Sequence, residues 1–385
     1  MIDKARLIEI IKKNNAKSAN GSKYISFLLG EIIFYSNAEI SNIDFDKLET
    51  VIELACKSQD HSLLTGSLGV TWALRDLCNK KILNHEEIID FDTEIDVVFE
   101  NEIDWYFQNK NYDLFDGMIG KGLYFLETKK AGVVEKIVDC LDKIKRVKNG
   151  TFFWIDYKQG KNICDLGLAH GIPSIISFLS SCYHSNIKKE KCSELIEGAV
   201  AFALQIYKES HNSLPHSIVT ETFSPMYPTS RLAWCYGNLS LAVCLWNAGA
   251  ALGDHLWQNT ATDIMFTASR VSVEESGVFF SVKSNVYDIG FCHGTSGIAH
   301  IFHRFYKVTK TAVFLNRANY WLDLTLIHME KEHVLFPYEL KKDIWKSGSA
   351  SLLEGINGVG MVVMSFLESE KNLSWDKIFF TNMSS

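Results

Sequence analysis

Residues 291–305 read FCHGTSGIAHIFHRF: a short lead containing a glycine, then a segment that is apolar nearly throughout. The same shape recurs as HSLLTGSLGVTWALRDL around Gly66, YDLFDGMIGKGLYFLE around Gly117, DLGLAHGIPSIISFLS around Gly171, AWCYGNLSLAVCLW around Gly237 and SLLEGINGVGMVVMSFL around Gly355. From Gly66 through Gly117, Gly171, Gly237 and Gly294 to Gly355 the steps are 51, 54, 66, 57 and 61 residues, which marks an internal repeat. NGSKYISFLLGEIIFYS, with Gly21, reads as a degenerate first copy and brings the number to seven.

Between these segments lie amphipathic stretches. IDFDKLETVIELACKS, EKIVDCLDKIKRVK, KKEKCSELIEGAVAFALQIYKES and RANYWLDLTLIHMEKE place apolar residues at helical spacing, so each predicts a helix with one buried face. The segments after the glycines are apolar all round and predict helices buried on every side. One outer and one inner helix per copy, seven times over, predicts an all-α fold: an α/α toroid, with a ring of inner helices inside a ring of outer ones. GTFFWIDYKQGKN (150–162) and HNSLPHSIVTETFSPMYPTS (211–230) predict short hairpins. Five prolines leave the helices few interruptions, and no Pro/Ser-rich linker or charge block divides residues 1–385, which read as one domain. A glycine opening each inner helix is expected to allow a sharp turn and close helix approach.

Composition narrows the function. A net charge of −7 argues against a nucleic-acid surface. MIDKARLIEIIKKNN has no signal-peptide core, and nine scattered cysteines, an odd number, suggest reduced thiols in a cytoplasm instead of a disulfide framework. No apolar stretch reaches the length of about 18 residues that a membrane span needs.

What differs between copies is the residue at or just before the glycine: His170 before Gly171, Cys235-Tyr236 before Gly237, Cys292-His293 before Gly294. Copies related by rotation would bring these positions together. Cys235, Cys292 and His293 then form a three-ligand set suited to Zn²⁺, with a fourth position open as in catalytic sites. Cys56, Cys140 and Cys192 fall in outer helices and Cys244 lies down an inner one, so they fail the test of equivalence. His300 and His303 read as core or rim histidines.

At these residues the chain resembles the lanthionine synthetase C-like cyclases. GLAHG, SRLAWCYG and FCHGTSG are that family's recognisable motifs and stand in its order; the resemblance runs from about residue 15 to 367. It implies an α/α-toroid enzyme holding one Zn²⁺ per chain on Cys235, Cys292 and His293. Such an enzyme closes thioether rings by adding cysteine thiols of a dehydrated lanthipeptide precursor to dehydroalanine or dehydrobutyrine. It further implies site roles for His170, Asp113, Arg231 and Tyr236, a precursor with a leader, and a partner dehydratase. An ABC transporter, and a cytoplasmic location with peripheral membrane association through a biosynthetic complex, belong to the same expectation.

The chemistry has its own logic. A free thiol is only a few per cent ionised at neutral pH, and Zn²⁺ deprotonates it outright. Two protein thiolates keep a bound sulfur electron-rich, which suits thiolate addition better than amide hydrolysis. Addition leaves an enolate that needs a proton at Cα, for which His170 is the natural general acid. Asp113 could orient His170, and Arg231 and Tyr236 could donate to the enolate oxygen. Plainer readings stand beside these: Asp113 as a helix cap, Arg231 as a loop brace, Tyr236 as packing beside the metal. Two other classes stand beside this one: a zinc-dependent glutathione transferase, and a non-catalytic zinc-stabilised peptide scaffold, which needs a fourth ligand that no repeat-equivalent position supplies. Toroidal glycosidases need a pair of carboxylates, and only Asp113 and Asp116 stand in one copy.

Overall fold

In the computed structural model the described residues are 2–18, 25–39, 44–156, 162–226, 230–281, 286–329, 350–371 and 373–383. The helices are α1 (Lys4–Ser18), α2 (Ile25–Asn37), α3 (Phe45–Lys57), α4 (Ser67–Asn79), α5 (Ile89–Gln108), α6 (Met118–Glu127), α7 (Ala131–Ile144), α8 (Ile172–His184), α9 (Lys189–Glu209), α10 (Asn238–Leu252), α11 (His255–Ala268), α12 (Thr295–Thr309), α13 (Ala312–Met329) and α14 (Ile356–Leu367). Among the described residues none is long and apolar enough to cross a membrane. The chain gathers into two compact units, residues 1–97 with 276–303 and 315–375, and residues 98–275 with 304–314 and 376–385.

In the first unit α2, α4 and α14 are buried on all sides, while α1 and α3 bury one face each. α1 packs on α14, α14 on α2, and α2 on α3 and α4. α14 alone buries Ile356, Val359, Met361, Val362 and Val363 at 0% exposure. Each such side chain contributes about 1.5–3 kcal/mol relative to an exposed one. Gly21 lies outside the described residues, and the helix that follows it is an inner one as expected. His300 and His303 are core residues, His303 stacked on Phe366 with ring centroids 4.1 Å apart.

In the second unit α6, α8 and α10 are the buried helices and α7, α9 and α11 their amphipathic companions. α8 packs on α6, α9 and α10, and α10 on α11. The C-terminal residues are locked into this unit. Fully buried Asp376 accepts two hydrogen bonds from Arg304, at 2.8 and 2.7 Å, and one from Thr381 at 2.9 Å. The Phe379 carbonyl accepts the Trp234 indole N–H at 2.8 Å, and the Phe380 carbonyl accepts from Asn247 at 3.0 Å.

Strands are short. β1 (Arg146–Lys148) pairs antiparallel with β2 (Thr151–Phe153), so the end of the EKIVDCLDKIKRVK stretch is strand and not helix. β3 (Ile163–Asp165), β4 (Ser217–Val219) and β5 (Ser224–Pro225) form a second antiparallel sheet in that order; β4 and β5 fall within the second stretch expected to be a hairpin, whereas the strand of the first, β2, pairs back with β1 and β3 begins just past it. Residues 157–161 and 227–229 of those stretches lie outside the described residues. A further pair, β6 (Phe279–Ser281) with β7 (Val286–Tyr287), was not signalled by any turn motif.

The repeated glycines work differently from the sequence expectation. Gly66, Gly117, Gly171 and Gly355 have φ of −122°, −139°, −128° and −103°, backbone open to any residue. What they supply is space: a Cβ would stand 2.2 Å from the Asp60 carbonyl oxygen at Gly66 and 2.2 Å from that of Asp165 at Gly171. Only Gly237, with φ +83°, needs glycine's conformational freedom.

Candidate functional site

In four of the described copies the lead before the inner helix is a turn built by the residue six positions before the glycine. Asp60 Oδ1 accepts the Ser62 N–H at 2.9 Å, Asn111 Oδ1 that of Asp113 at 3.1 Å, Asp165 Oδ1 that of Gly167 at 2.7 Å, and Asp288 Oδ1 that of Gly290 at 2.8 Å. These are Asx turns, in which a short side chain caps its own backbone two residues on. Arg231 holds this position in the copy around Gly237 and cannot make the turn, and there the chain bends through the positive φ of Gly237 instead.

The carboxylate's other oxygen faces the residue immediately before a glycine. Asp60 Oδ2 accepts from Thr65 Oγ1 at 2.7 Å, and Asp288 Oδ2 lies 3.1 Å from His293 Nε2. Asp288 is 2% exposed, so its charge is directed at the imidazole instead of water. Cys292 beside it is buried, and its N–H is held by the Leu353 carbonyl at 3.0 Å.

His170 departs from this pattern. Its Nδ1 donates to Asp113 Oδ2 at 2.6 Å, and Asp113 belongs to the preceding copy. Asp113 is buried, and its Oδ1 accepts the N–H groups of Phe115 at 2.7 Å and Asp116 at 3.3 Å. The Phe115 ring meets the His170 ring edge-on, with centroids 5.5 Å apart.

Tyr236 is clamped. Its ring stacks on His216 with centroids 3.3 Å apart and planes 20° from parallel. On Gly167 a Cβ would come within 2.6 Å of the Tyr236 ring and 2.3 Å of the Cys235 carbonyl oxygen, which is why GLAHG opens on glycine. The hydroxyl donates to Asp165 Oδ2 at 3.4 Å. The His170 and Tyr236 ring centroids are 6.5 Å apart. Burial pushes the Asp165 carboxyl up to about 7, against the opposing pull of His170 and the Gly167 N–H. Tyr112, buried beside Asp165, Cys164, Asp156 and Asp113, has its phenol pushed up by burial as well.

Cys235 is buried, directly after the Trp234 that the C-terminal segment anchors. Cys292 and His293 stand together just before α12 in the first unit, and Cys235 stands just before α10 in the second. Two thiols and an imidazole, the sulfurs buried, make a soft donor set that fits Zn²⁺. Arg231 is half-buried six residues before Gly237. Sequence reasoning missed Asp165, Asp288 and His216. The signal for the first two was present in the spacing: an Asp or Asn six residues before four of the glycines.

The lanthionine synthetase C-like protein family matches residues 14–380, and the chain belongs to that family. Among solved structures it is similar to one titled "Nisin cyclase", at a TM-score of 0.75 and 17% sequence identity, with 98% of this chain and 97% of that chain covered. That similarity gives the chain its fold, the all-α toroid class expected from the repeat. A comparison with curated protein sequences gives no match.

Proposed function

We propose that the chain is a zinc-dependent lanthipeptide cyclase, which adds cysteine thiols of a dehydrated precursor peptide to dehydroalanine or dehydrobutyrine to form thioether rings. The observation that carries this reading is the set of buried Cys235 and Cys292 at equivalent positions of consecutive copies, with His293 beside the second. Family membership and the likeness to a cyclase support it.

Cys235, Cys292 and His293 would hold the ion, leaving a position for a substrate thiol. Bound there, Zn²⁺ supplies the charge that converts a cysteine thiol to thiolate near neutral pH. Asp288, whose Oδ2 lies 3.1 Å from His293 Nε2, would orient that imidazole behind the ion. His170, fixed by Asp113 at Nδ1, presents Nε2 to the reaction. It takes the thiol proton and returns a proton to Cα after the sulfur has bonded to Cβ and the π electrons have moved onto the carbonyl oxygen. The addition is then balanced, with nothing lost. Arg231 and Tyr236 stabilise the enolate oxygen by hydrogen bonds. The substrate carries a leader and reaches the enzyme from a dehydratase, with an ABC transporter and the membrane surface as further partners of the pathway.

Ring closure leaves the mass of the peptide unchanged but consumes a thiol. The zinc-loaded protein should make the cysteine of a leader-bearing, dehydroalanine-containing peptide resistant to maleimide alkylation, read by mass spectrometry. Full alkylation at all times, or conversion of added glutathione in place of the internal thiol, would replace the cyclase reading.

A further inference from the structure

Asp165 is not among the residues through which the reaction above was written, yet its surroundings are built with care. One oxygen is committed to the turn through the Gly167 N–H at 2.7 Å. The other faces the hydroxyl of Tyr236, whose ring is packed on His216 and against Gly167. Only the phenol hydrogen is left to rotate, about an oxygen fixed 3.4 Å from Asp165 Oδ2. In the copies of Asp60 and Asp288 the corresponding Oδ2 likewise serves the residue before a glycine, Thr65 or His293. Asp165 does the same for a residue of the following copy, because His170 in its own copy is taken by Asp113.

The two protonation states of Asp165 therefore set two orientations of Tyr236. An ionised carboxylate only accepts, so the phenol hydrogen points into it and is withheld from everything else. A neutral carboxyl donates from Oδ2 to the phenol oxygen, and the phenol hydrogen turns outward. We propose that Asp165 is a positioning residue which, in its neutral form, turns the Tyr236 hydroxyl toward the substrate. This deepens the cyclase reading and rests on it for its consequence in catalysis: the freed hydrogen is the donor to the enolate oxygen.

The groups facing Asp165 are consistent with a carboxyl that changes state near neutrality. His170 favours the charged form, Asp113 and Asp156 disfavour it, and burial outweighs the rest, placing the group at about 7. Tyr112 and Cys164 beside it are themselves driven toward neutrality by burial, and His216 stacks on the Tyr236 ring.

The substitution Asp165→Asn separates this from a structural role. Asparagine keeps the turn acceptor, as Asn111 does in the preceding copy. Its amide donates permanently to the phenol oxygen and so copies the neutral carboxyl. In zinc-loaded protein with ¹³C-labelled tyrosine, the Tyr236 Cζ resonance, assigned with Tyr236→Phe, should shift between about pH 5 and 9 in the parent and stay flat in Asp165→Asn. The same variant should keep ring closure within about threefold and lose the decline above neutral pH. Asp165→Ala, with no donor, should lose roughly tenfold, the worth of one hydrogen bond. A Tyr236 resonance that titrates alike with and without Asp165 overturns the proposal. So does an Asp165→Asn variant as impaired as Asp165→Ala. Absence of ring closure in the parent protein would instead refute the cyclase reading, and the resonance would still decide what Asp165 does to Tyr236.

Discussion

One carboxylate, that of Asp113, accepts the Nδ1–H of His170 on Oδ2 at 2.6 Å while its Oδ1 accepts the backbone N–H groups of Phe115 and Asp116. Capping a turn and orienting an imidazole are alternatives in sequence; in the folded chain they are simultaneous, because they use different oxygens. The turn also explains the short His170 contact: backbone bonds remove the freedom the carboxylate would otherwise have to be immobilised from.

The substitution Asp113→Asn therefore has separable effects. The amide oxygen can still cap, so the unfolding free energy should change by less than about 1 kcal/mol. Facing His170 there would be no negative charge to favour the imidazolium. Ring closure should fall by roughly 10- to 100-fold, since the residue lost is the proposed orienting partner and not the proposed acid–base group itself. Denaturant unfolding beside a single-turnover assay checks both; an unimpaired rate would leave Asp113 with the turn alone.

His170→Asn removes the group proposed to move the proton. Ring closure should drop by about 10²–10⁴-fold, with zinc content and helical circular dichroism unchanged. Wild-type rates in this variant would remove His170 from the mechanism.

Much of this was legible in the primary structure. Glycine spacing and the contrast between apolar and amphipathic stretches gave the inner and outer helices, and the equal offset of Cys235 and Cys292 from Gly237 and Gly294 gave the thiol pair. Asp165 and Asp288 escaped notice because their position is filled by Asp, Asn or Arg, a mixture without periodicity until the turn it builds is seen. His216 is brought under Tyr236 by the pairing of β3 with β4, a long-range register no local pattern encodes. The role of the glycines was misjudged because crowding against a carbonyl six residues back leaves no trace in sequence.

Asp165 also marks stability. Its carboxyl is raised by burial from the model-compound value of 3.8 to about 7 in the folded chain. The native state then binds more protons than the unfolded one between those values. The stabilisation from the neutral form is complete below about pH 4 and is lost as pH rises through 7. Urea unfolding of Asp165→Asn should show a stability that falls less steeply than the parent's across that window. Parallel curves would mean that Asp165 ionises normally.

Asp288 touches the proposed metal only through His293. Asp288→Asn should keep the Gly290 turn while weakening zinc affinity by about 10- to 100-fold, as loss of a carboxylate behind a histidine ligand does. Competition with a coloured chelator measures this directly; equal affinities would show that Asp288 serves the turn alone.

The central claim is that consecutive copies of one repeat supply a zinc centre from Cys235, Cys292 and His293. Metal content of the purified chain, beside Cys235→Ala and Cys292→Ala, tests it most directly. The account predicts one zinc per chain in the parent and loss of it in both variants, with the helical fold retained because so large a core does not depend on one ion. A parent that takes up no zinc, or variants that keep a full complement, would contradict it.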